Sequence, residues 1–564
     1  MYIVYAIKCK RCGNCYCTAA PSKHGDQRKM YSPLSVIRIN QTGYSDSLPV
    51  QVAVLSDDPL FLCDKTGSPI RTYKHPRVSP DESSGDKVSL INLGILKAGD
   101  YIFECNGEKR KVTVSSSPWR KVTDALIKGL YYQRCGCELL PEHAGKFVHP
   151  PCHTAMASEW ENKSCKRFVT GGWHDAGDYG KYTGPGAVTA AHLIYTYLLC
   201  EKGCSDDLNI PESGNGIPDI LNETRYELEW ILKMQRDDGA FYHKLTKDHF
   251  APFIMPQADH DPEYLMPVSH CATGAACACL ALAFRVYKKF DEAFAGRMLT
   301  AALKAYEWLD KNRDFVPFVN PEGVRTGQYG DRSDKDERFW AACELYASTG
   351  EDRYKNEAEE LYSNEMNITS YGWAEVSGLG AICCLFEIGE KAGDILYTAL
   401  RERFISECER IRSLSESSGY GTALHPKGYG WGSILPIMSN AMSMILYELL
   451  TGDQSMRDAA LLQWDYALGL NALDLCFVTG FGESSVINPH HRPSGSDGIE
   501  EPVPGLISGG PNKGFTYPQT KEKLGEDVPP AKSYLDELSS ADTNEIAIYW
   551  NSPAIFVGAF FSSL

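Results

Sequence analysis

The hydrophobic pattern of this chain changes period once, near "SSSPW" at residues 115–119, and that change limits the folds open to it. Before it, alternation runs through Val50, Val52 and Val54, through Tyr101, Phe103 and Cys105, and through Val112 and Val114. Alternation gives a strand one buried face, and "SDDP", "KTGSP" and "KAGD" supply turns between the runs. Residues 36–116 are therefore expected to form a small β-sandwich, for which about 80 residues suffice. After residue 120 apolar residues recur at helical spacing. In "PDILNETRYELEWILKMQ" (218–235) Pro218 stands near a helix start, and Leu221, Leu228, Ile231 and Leu232 fall on one stripe. Comparable segments lie near 186–202, 270–289, 293–311, 336–349, 374–389, 393–413, 433–451, 455–468 and 543–562, with no strand pattern between them. Residues 117–564 are thus expected to be mainly α, a toroid or solenoid, and the lack of a fixed repeat disfavours the solenoid. Residues 1–35 read as a leader, either disordered or folded round a small metal knuckle at Cys9, Cys12, Cys15 and Cys17.

A net charge of −17 sets nucleic acid and anionic membrane aside, because a polyanion would approach against the overall field. No run of about 18 apolar residues offers a membrane span. A neutral ligand meets no such barrier, and 31 Tyr with 10 Trp suit stacking on sugar faces as well as filling a core. Basic residues follow the short apolar start of the chain rather than precede it. No secretory signal is read, and a cytoplasmic location is expected, with secretion left open if the N-terminus is not native. Many of the 20 cysteines sit in apolar helical contexts such as "CATGAACACLALAF" (271–284), as small buried hydrophobes of a reducing compartment.

Asp175 and Asp178 stand three positions apart in "GGWHDAGDYGKY" (171–182). Close carboxylates raise each other's proton affinity unless donors keep one ionised, which is one way to obtain a base that activates water; a capping role is the alternative. Near the far end, Glu545 precedes a run of Ile, Ala, Tyr and Trp in "TNEIAIYWNSPAIFVGAF" (543–560). Lost hydration there would raise its pKa toward that of a proton donor at neutral pH, whereas an exposed Glu in a first helical turn would answer to the helix dipole. Between them, "VTGFGESSVINPHHRPSGSDG" (478–498) carries His490, His491 and Arg492, donors suited to an oxygen-rich ligand or to a salt-bridged loop.

Together "GGWHDAGDYGKY", "TGFGESSVINPHHRPS" and "YLDELSSADTNEIAIYWNS" resemble, in the right order, the signatures of glycoside hydrolase family nine, the inverting cellulases. "IRINQTGY" (37–44) extends the resemblance to the branch with an N-terminal immunoglobulin-like domain, so that it covers roughly residues 36–564. It implies an (α/α)6 barrel preceded by an immunoglobulin-like β-sandwich. It also implies an endo-β-1,4-glucanase acting with inversion on cellulose-type glucans or cellodextrins. By position, Asp178 would be the base, Asp175 would hold the same water or orient its partner, and Glu545 would be the acid. His490 would bind substrate with Arg492 in support, and Asp536 falls at the family's acidic position upstream of the acid. Ser484, Cys476, Ala541 and Ile434 depart from the family's usual residues, which bears on subsite preference.

"RCGCELLPEHAGKFVHPPCHTA" (134–155) gathers Cys and His shortly before His174, where the resemblance implies a structural zinc. Cys135, Cys152, His153 and His174 are chosen as a closed Cys2His2 tetrahedron, with Cys137, His143, His149 and Cys165 as competing ligands. "GDRSDKDER" (330–338) has oxygen ligands enough for calcium, or is solvated charge. No organic cofactor is expected. Rival readings are an exo-acting enzyme on short oligosaccharides or amino-sugars, a zinc hydrolase in which His174 and the aspartates hold a catalytic metal, and a silent glycan-binding protein.

Overall fold

The computed structural model describes residues 34–74, 79–389 and 394–564, so the leader cysteines Cys9, Cys12, Cys15 and Cys17 lie outside the described residues. Between Ile37 and Ser115 the chain is β. The strands are β1 (Ile37–Arg38), β2 (Tyr44–Ser45), β3 (Pro49–Val54), β4 (Leu60–Asp64), β5 (Pro69–Tyr73), β6 (Ser79–Pro80), β7 (Lys87–Ile95), β8 (Gly99–Cys105) and β9 (Glu108–Ser115). They form two sheets, ordered β1-β3-β7-β6 and β2-β9-β8-β4-β5. The alternating residues supply the filling: Val50, Val52 and Val54 of one sheet share a core with Leu60, Leu62, Phe103, Val112 and Val114 of the other.

From Arg120 onward the chain winds helices in pairs: α1 (Arg120–Tyr132), α2 (Thr183–Cys200), α3 (Asp219–Lys233), α4 (His270–Tyr287), α5 (Glu292–Lys311), α6 (Lys335–Thr349), α7 (Asp352–Leu361), α8 (Ser377–Ile382), α9 (Asp394–Ser417), α10 (Ile434–Thr451), α11 (Arg457–Ala467) and α12 (Ile548–Ser562). A π-helical stretch, Cys383–Ile388, continues α8. The even-numbered helices form an inner ring, in which α12 packs on α2, α2 on α4, α4 on α6, α6 on α8 and α10 on α12; the odd-numbered helices pack outside them. The sequence dictates this division. Inner helices such as α4 and α12 are apolar and buried on nearly every face, whereas α7 is charged and buries only Tyr354 and Ala358. The (α/α)6 barrel explains why α4 and α10 are long and apolar enough to cross a membrane: neighbouring helices cover them.

Three features differ from the periodicity reading. The outer helices α1 and α7 are not among the segments it picks out. The segment expected as one helix over 543–562 is broken: Ala541–Asn544 make a single turn, Glu545 is extended, and α12 starts at Ile548. A small sheet also lies among the helices, from β10 (Ala157–Glu159), β11 (Lys166–Arg167), β12 (Lys181–Tyr182), β13 (Lys244–Thr246) and β14 (Tyr264–Leu265), ordered β11-β10-β14-β13-β12. Strands of two or three residues cannot show alternation.

The alternation of outer and inner helices sets where function can sit. Most connections from an inner to the next outer helix are short, as between Tyr287 and Glu292, or Thr349 and Asp352, the exception being residues 201–218 between α2 and α3. Those from outer to inner are long and gather at one end of the barrel, each delivering its last residues to the N-terminus of an inner helix. The sandwich grips this assembly through Arg110, whose Nη1 lies 2.9 Å from an Asp474 carboxylate oxygen that also faces Arg38, and through a 2.7 Å hydrogen bond from Asn40 Nδ2 to Asp465. Asp474→Ala would leave two buried guanidinium groups without their shared counter-charge. The expected cost is about 3 kcal/mol, read as a lower unfolding midpoint in scanning calorimetry; an unchanged midpoint would show that the contact contributes nothing.

Candidate active site

The loop of residues 171–182 delivers Asp175 and Asp178 to the N-terminus of α2, and Ala541–Ala547 delivers Glu545 to the N-terminus of α12. Main-chain pairing fixes these segments against each other. Ala176 bridges Ala547, the Ile548 amide donates to the Asp175 carbonyl (2.9 Å), His490 bridges Glu545, and the His490 amide donates to the Asn544 carbonyl (2.8 Å). The extended backbone at Glu545 is the consequence, since a helical residue could not enter these bridges. Gly177 is required for the same reason: a Cβ there would stand 1.9 Å from the His490 carbonyl oxygen. The Arg492 amide and Nη1 both donate to the Gly177 carbonyl, at 3.0 and 2.8 Å, and Nε donates to Ala251 O at 2.7 Å. Arg492 therefore braces the loop.

The carboxyl groups are held differently. Asp178 Oδ2 accepts from the Gly180 amide at 3.0 Å. Asp175 is buried; one oxygen accepts a 2.5 Å hydrogen bond from the Tyr329 hydroxyl, while Oδ1 has no protein partner. Burial, and secondarily the charge of Asp178, hold the Asp175 carboxyl well above the usual range, against the pull of Tyr329. Burial also pushes Glu545 well above it, with Asp178 and Asp175 adding to the rise and Arg492 and a hydrogen bond from the Trp431 side chain opposing it. Carboxyls from two distant parts of the chain thus face one another, and both Asp175 and Glu545 are held toward the protonated form.

His490 is half-buried. Its Nδ1 lies 2.7 Å from the Leu538 carbonyl, and Phe253 meets the ring edge to face, an arrangement that leaves Nε2 for a ligand. Burial lowers its pKa to about 4, so it is neutral at pH 7. His491 instead belongs to the scaffold, its Nε2 2.9 Å from Gln133 Oε1, while Gln133 Nε2 donates to the carbonyls of His174 and Ala176. Asp536 accepts from the amides of Ile487 and Asn488 and from Asn544 Nδ2, shaping the ground on either side of His490 and Glu545.

Sequence reasoning missed Tyr329, Trp373 and Trp431. Tyr329 has a φ of 46°, costly for a bulky residue, and packs against Tyr182 and Trp373 at ring distances of 4.5 and 4.8 Å. Trp431, in "GYGWGSI", is 42% exposed and meets Tyr517 at 5.8 Å, a pair of faces open to solvent beside Glu545. An exposed tryptophan among glycines was the available signal; for Tyr329 there was none.

Cys135, Cys152, His153 and His174 gather as expected, with their ligand atoms all within 4.8 Å of one another. Two thiols and two imidazoles suit a tetrahedral metal of intermediate softness. The competing residues are elsewhere engaged: His149 Nδ1 with Pro150 O, His143 with Asn209, Cys137 beside Tyr226, and Cys165 beside Glu159. His174 belongs to this cluster and the aspartates do not, which removes the reading in which they share a catalytic metal. In 330–338, Asp334, Asp336 and Glu337 are buried, so the stretch is not solvated charge. Asp334 pairs with Arg338 and Asp336 accepts from the Val376 amide, while Asp331 and Glu337 converge with the Cys271 thiol.

The sequence model described as Glycosyl hydrolase family 9 matches residues 119–558. The cellodextrinase of Butyrivibrio fibrisolvens is 35% identical over 541 residues, covering 92% of this chain and 98% of that protein. Among solved structures, a thermostable endoglucanase from Alicyclobacillus acidocaldarius (single mutant) superposes with a TM-score of 0.87 at 31% identity, covering 94% of this chain and 100% of that one. A zinc-binding triple mutant of the family 9 endoglucanase J30 also gives 0.87, at 29% identity, with 92% and 99% covered.

Gly177→Ala tests the main-chain stitching. Displacing the His490 carbonyl by even about 1 Å should cost on the order of 100-fold in kcat/KM on a soluble oligosaccharide; wild-type kinetics would show that the close approach is not needed.

Proposed function

The chain belongs to glycosyl hydrolase family 9, and from that premise we propose how its residues carry out inverting hydrolysis of β-1,4-glucosidic bonds in cellulose-type glucans or cellodextrins. Asp178 takes a proton from the attacking water. Asp175, anchored by Tyr329 through one oxygen, turns the other toward the same water and locates it. Glu545, kept protonated by burial and by the facing carboxylates, gives its proton to the leaving glycosidic oxygen. His490 offers Nε2 to a sugar hydroxyl, and the Trp431–Tyr517 pair offers a ring face to the pyranose. The observation that carries the assignment is the double main-chain bridge, His490 to Glu545 and Ala176 to Ala547, which ties the acid to the loop of the base.

Short cellodextrins are the proposed preferred substrates, supported by the end-to-end likeness to a cellodextrinase. Endo action on long chains is the second reading, supported by the likeness to the Alicyclobacillus acidocaldarius endoglucanase. Cys135, Cys152, His153 and His174 are proposed to hold a structural zinc, whose chemistry is to cross-link the start of the barrel to the loop of the base without entering the reaction. Asp331 and Glu337 converge with the Cys271 thiol, which is not a ligand of the kind calcium takes, so the donor set of 330–338 does not fit the calcium the sequence suggested.

Asp178→Ala and Glu545→Gln should each reduce hydrolysis of a cellodextrin series by at least about 1,000-fold while leaving circular dichroism unchanged; full turnover in either would refute the assignment, and product length and anomeric configuration in the wild type separate exo from endo action. The alkaline limb of kcat/KM reports loss of the Glu545 proton and should lie above the ordinary carboxyl range. Trp431→Phe keeps a ring but removes a hydrogen bond that lowers the Glu545 pKa, so the limb should move to higher pH; a stationary limb would point to another acid. Elemental analysis should find one zinc per chain in the wild type and none in Cys152→Ser, which should unfold at lower temperature.

A further inference from the structure

The connection from β13 to β14, residues 247–263, is far longer than a hairpin between paired strands requires, and loops of such length in compact domains are commonly functional. Three of its contacts reach the proposed site. The Ile254 carbonyl accepts a 2.5 Å hydrogen bond from Tyr179, the residue after Asp178. The Ala251 carbonyl accepts from Arg492, and the Phe253 ring packs edge to face on His490 at 5.2 Å. The space left between the connection and Asp178, lined among others by Thr246, Lys247 and Phe250, is a cavity of about 10 Å³, room for roughly one water. The connection therefore forms a wall of the sugar-binding side.

Among the tethers of this wall, one buried carboxylate reaches the Cys2His2 cluster. Asp259 is buried, pairs with Lys247 at the opposite end of the connection, and lies with its second oxygen 3.3 Å from His153 Nε2. His153 turns its other nitrogen inward, Nδ1 lying 3.8 Å from Cys135 Sγ and 3.4 Å from His174 Nε2. An imidazole that gives one nitrogen to a carboxylate has its tautomer and ring plane fixed, so the other is presented to a metal. The φ of 48° at His153 indicates that the backbone accepts strain to bring the ring there.

We propose that Asp259 is a positioning residue that couples the metal cluster to the 247–263 connection and so sets affinity for the sugar chain, leaving the bond-breaking groups untouched. The coupling rests on the metal-binding and sugar-binding readings above. Its route is short: cluster, His153, Asp259, then the connection, whose Phe253 and Ala251 touch His490 and Arg492. A merely structural carboxylate would lower stability throughout; a coupling one changes KM and local order.

The test uses the full chain purified with zinc and the variant Asp259→Asn, which keeps the shape and removes the charge. KM for cellotetraose should rise about five- to ten-fold with kcat within about two-fold. Zinc should pass to a chelator about ten- to a hundred-fold more readily, and hydrogen exchange should increase in the peptide covering 247–263 but not in the inner helices. An unchanged KM, or exchange raised evenly across the barrel, overturns the proposal. Phe253→Ala, which does not touch the cluster, should raise KM similarly while holding zinc as the wild type does; a wild-type KM there overturns the proposal even if Asp259→Asn does not fold. A wild type without zinc refutes the zinc reading, and the two KM measurements still decide this one.

Discussion

The geometry of the site depends on main-chain hydrogen bonds between segments that are remote in sequence. Side chains as long as Glu can swing through several ångströms, so two carboxyls facing each other across a barrel mouth would be poorly placed if only their own torsions held them. Here the backbone of Glu545 is paired with His490, and Ile548 donates to the carbonyl of Asp175. The proposed acid and base are thereby parts of one bridged structure, and Gly177 is the residue whose missing side chain lets the layers meet. Arg492 then spends its donors on carbonyls of the flanking loops instead of on a carboxylate, which keeps the stitched segments in register, while its charge still opposes the rise of the Glu545 pKa.

Electrostatics divides the labour among three acids. Opposite charges nearby would ionise all of them; burial alone would protonate all of them. Asp178 accepts an amide hydrogen bond, Asp175 receives a phenol, and Glu545 has the carboxylates facing it and only weaker opposition from Arg492 and Trp431. Burial and the facing carboxylates therefore hold Glu545 toward the protonated form that the proposed acid needs. The arrangement also accounts for Tyr329: a neutral donor orients Asp175 without adding a full positive charge that would lower its neighbours as well.

Much of this was legible in the sequence because it rests on local periodicity or on distinctive residue clusters. The valines of β3 and the stripe of α3 reported their own burial, and Cys135, Cys152, His153 and His174 were identifiable because few other residue types do what they do. Tyr329 was not legible, since nothing local distinguishes a tyrosine that will meet Asp175 from one that fills a core. The broken helix at Glu545 was hidden for a related reason. "TNEIAIYWNSPAIF" is apolar enough to continue inward as helix, and only pairing with His490 and Ala176, far away in sequence, pulls Glu545–Ala547 into an extended path. Asp259 carried no signal either; its burial between Lys247 and His153 is created by the fold.

The barrel separates what must be constant from what can vary. Inner helices such as α4 and α12 are covered on nearly every face and built mostly of close-packed apolar residues, and most of the turns that join inner to outer helices are only a few residues long. Variation is left to the long connections at one end, where each is anchored by an inner-helix N-terminus and braced by its neighbours. The proposed base and acid, the aromatic faces and the Cys2His2 cluster all occur on these connections. Because the connections touch one another, a change in one can be felt by the next: by the coupling proposed above, the cluster reaches His490 through a connection that contributes no reacting group. In such an architecture substrate preference belongs to the packing among loops, and can shift while the chemistry fixed by main-chain bridges stays where it is.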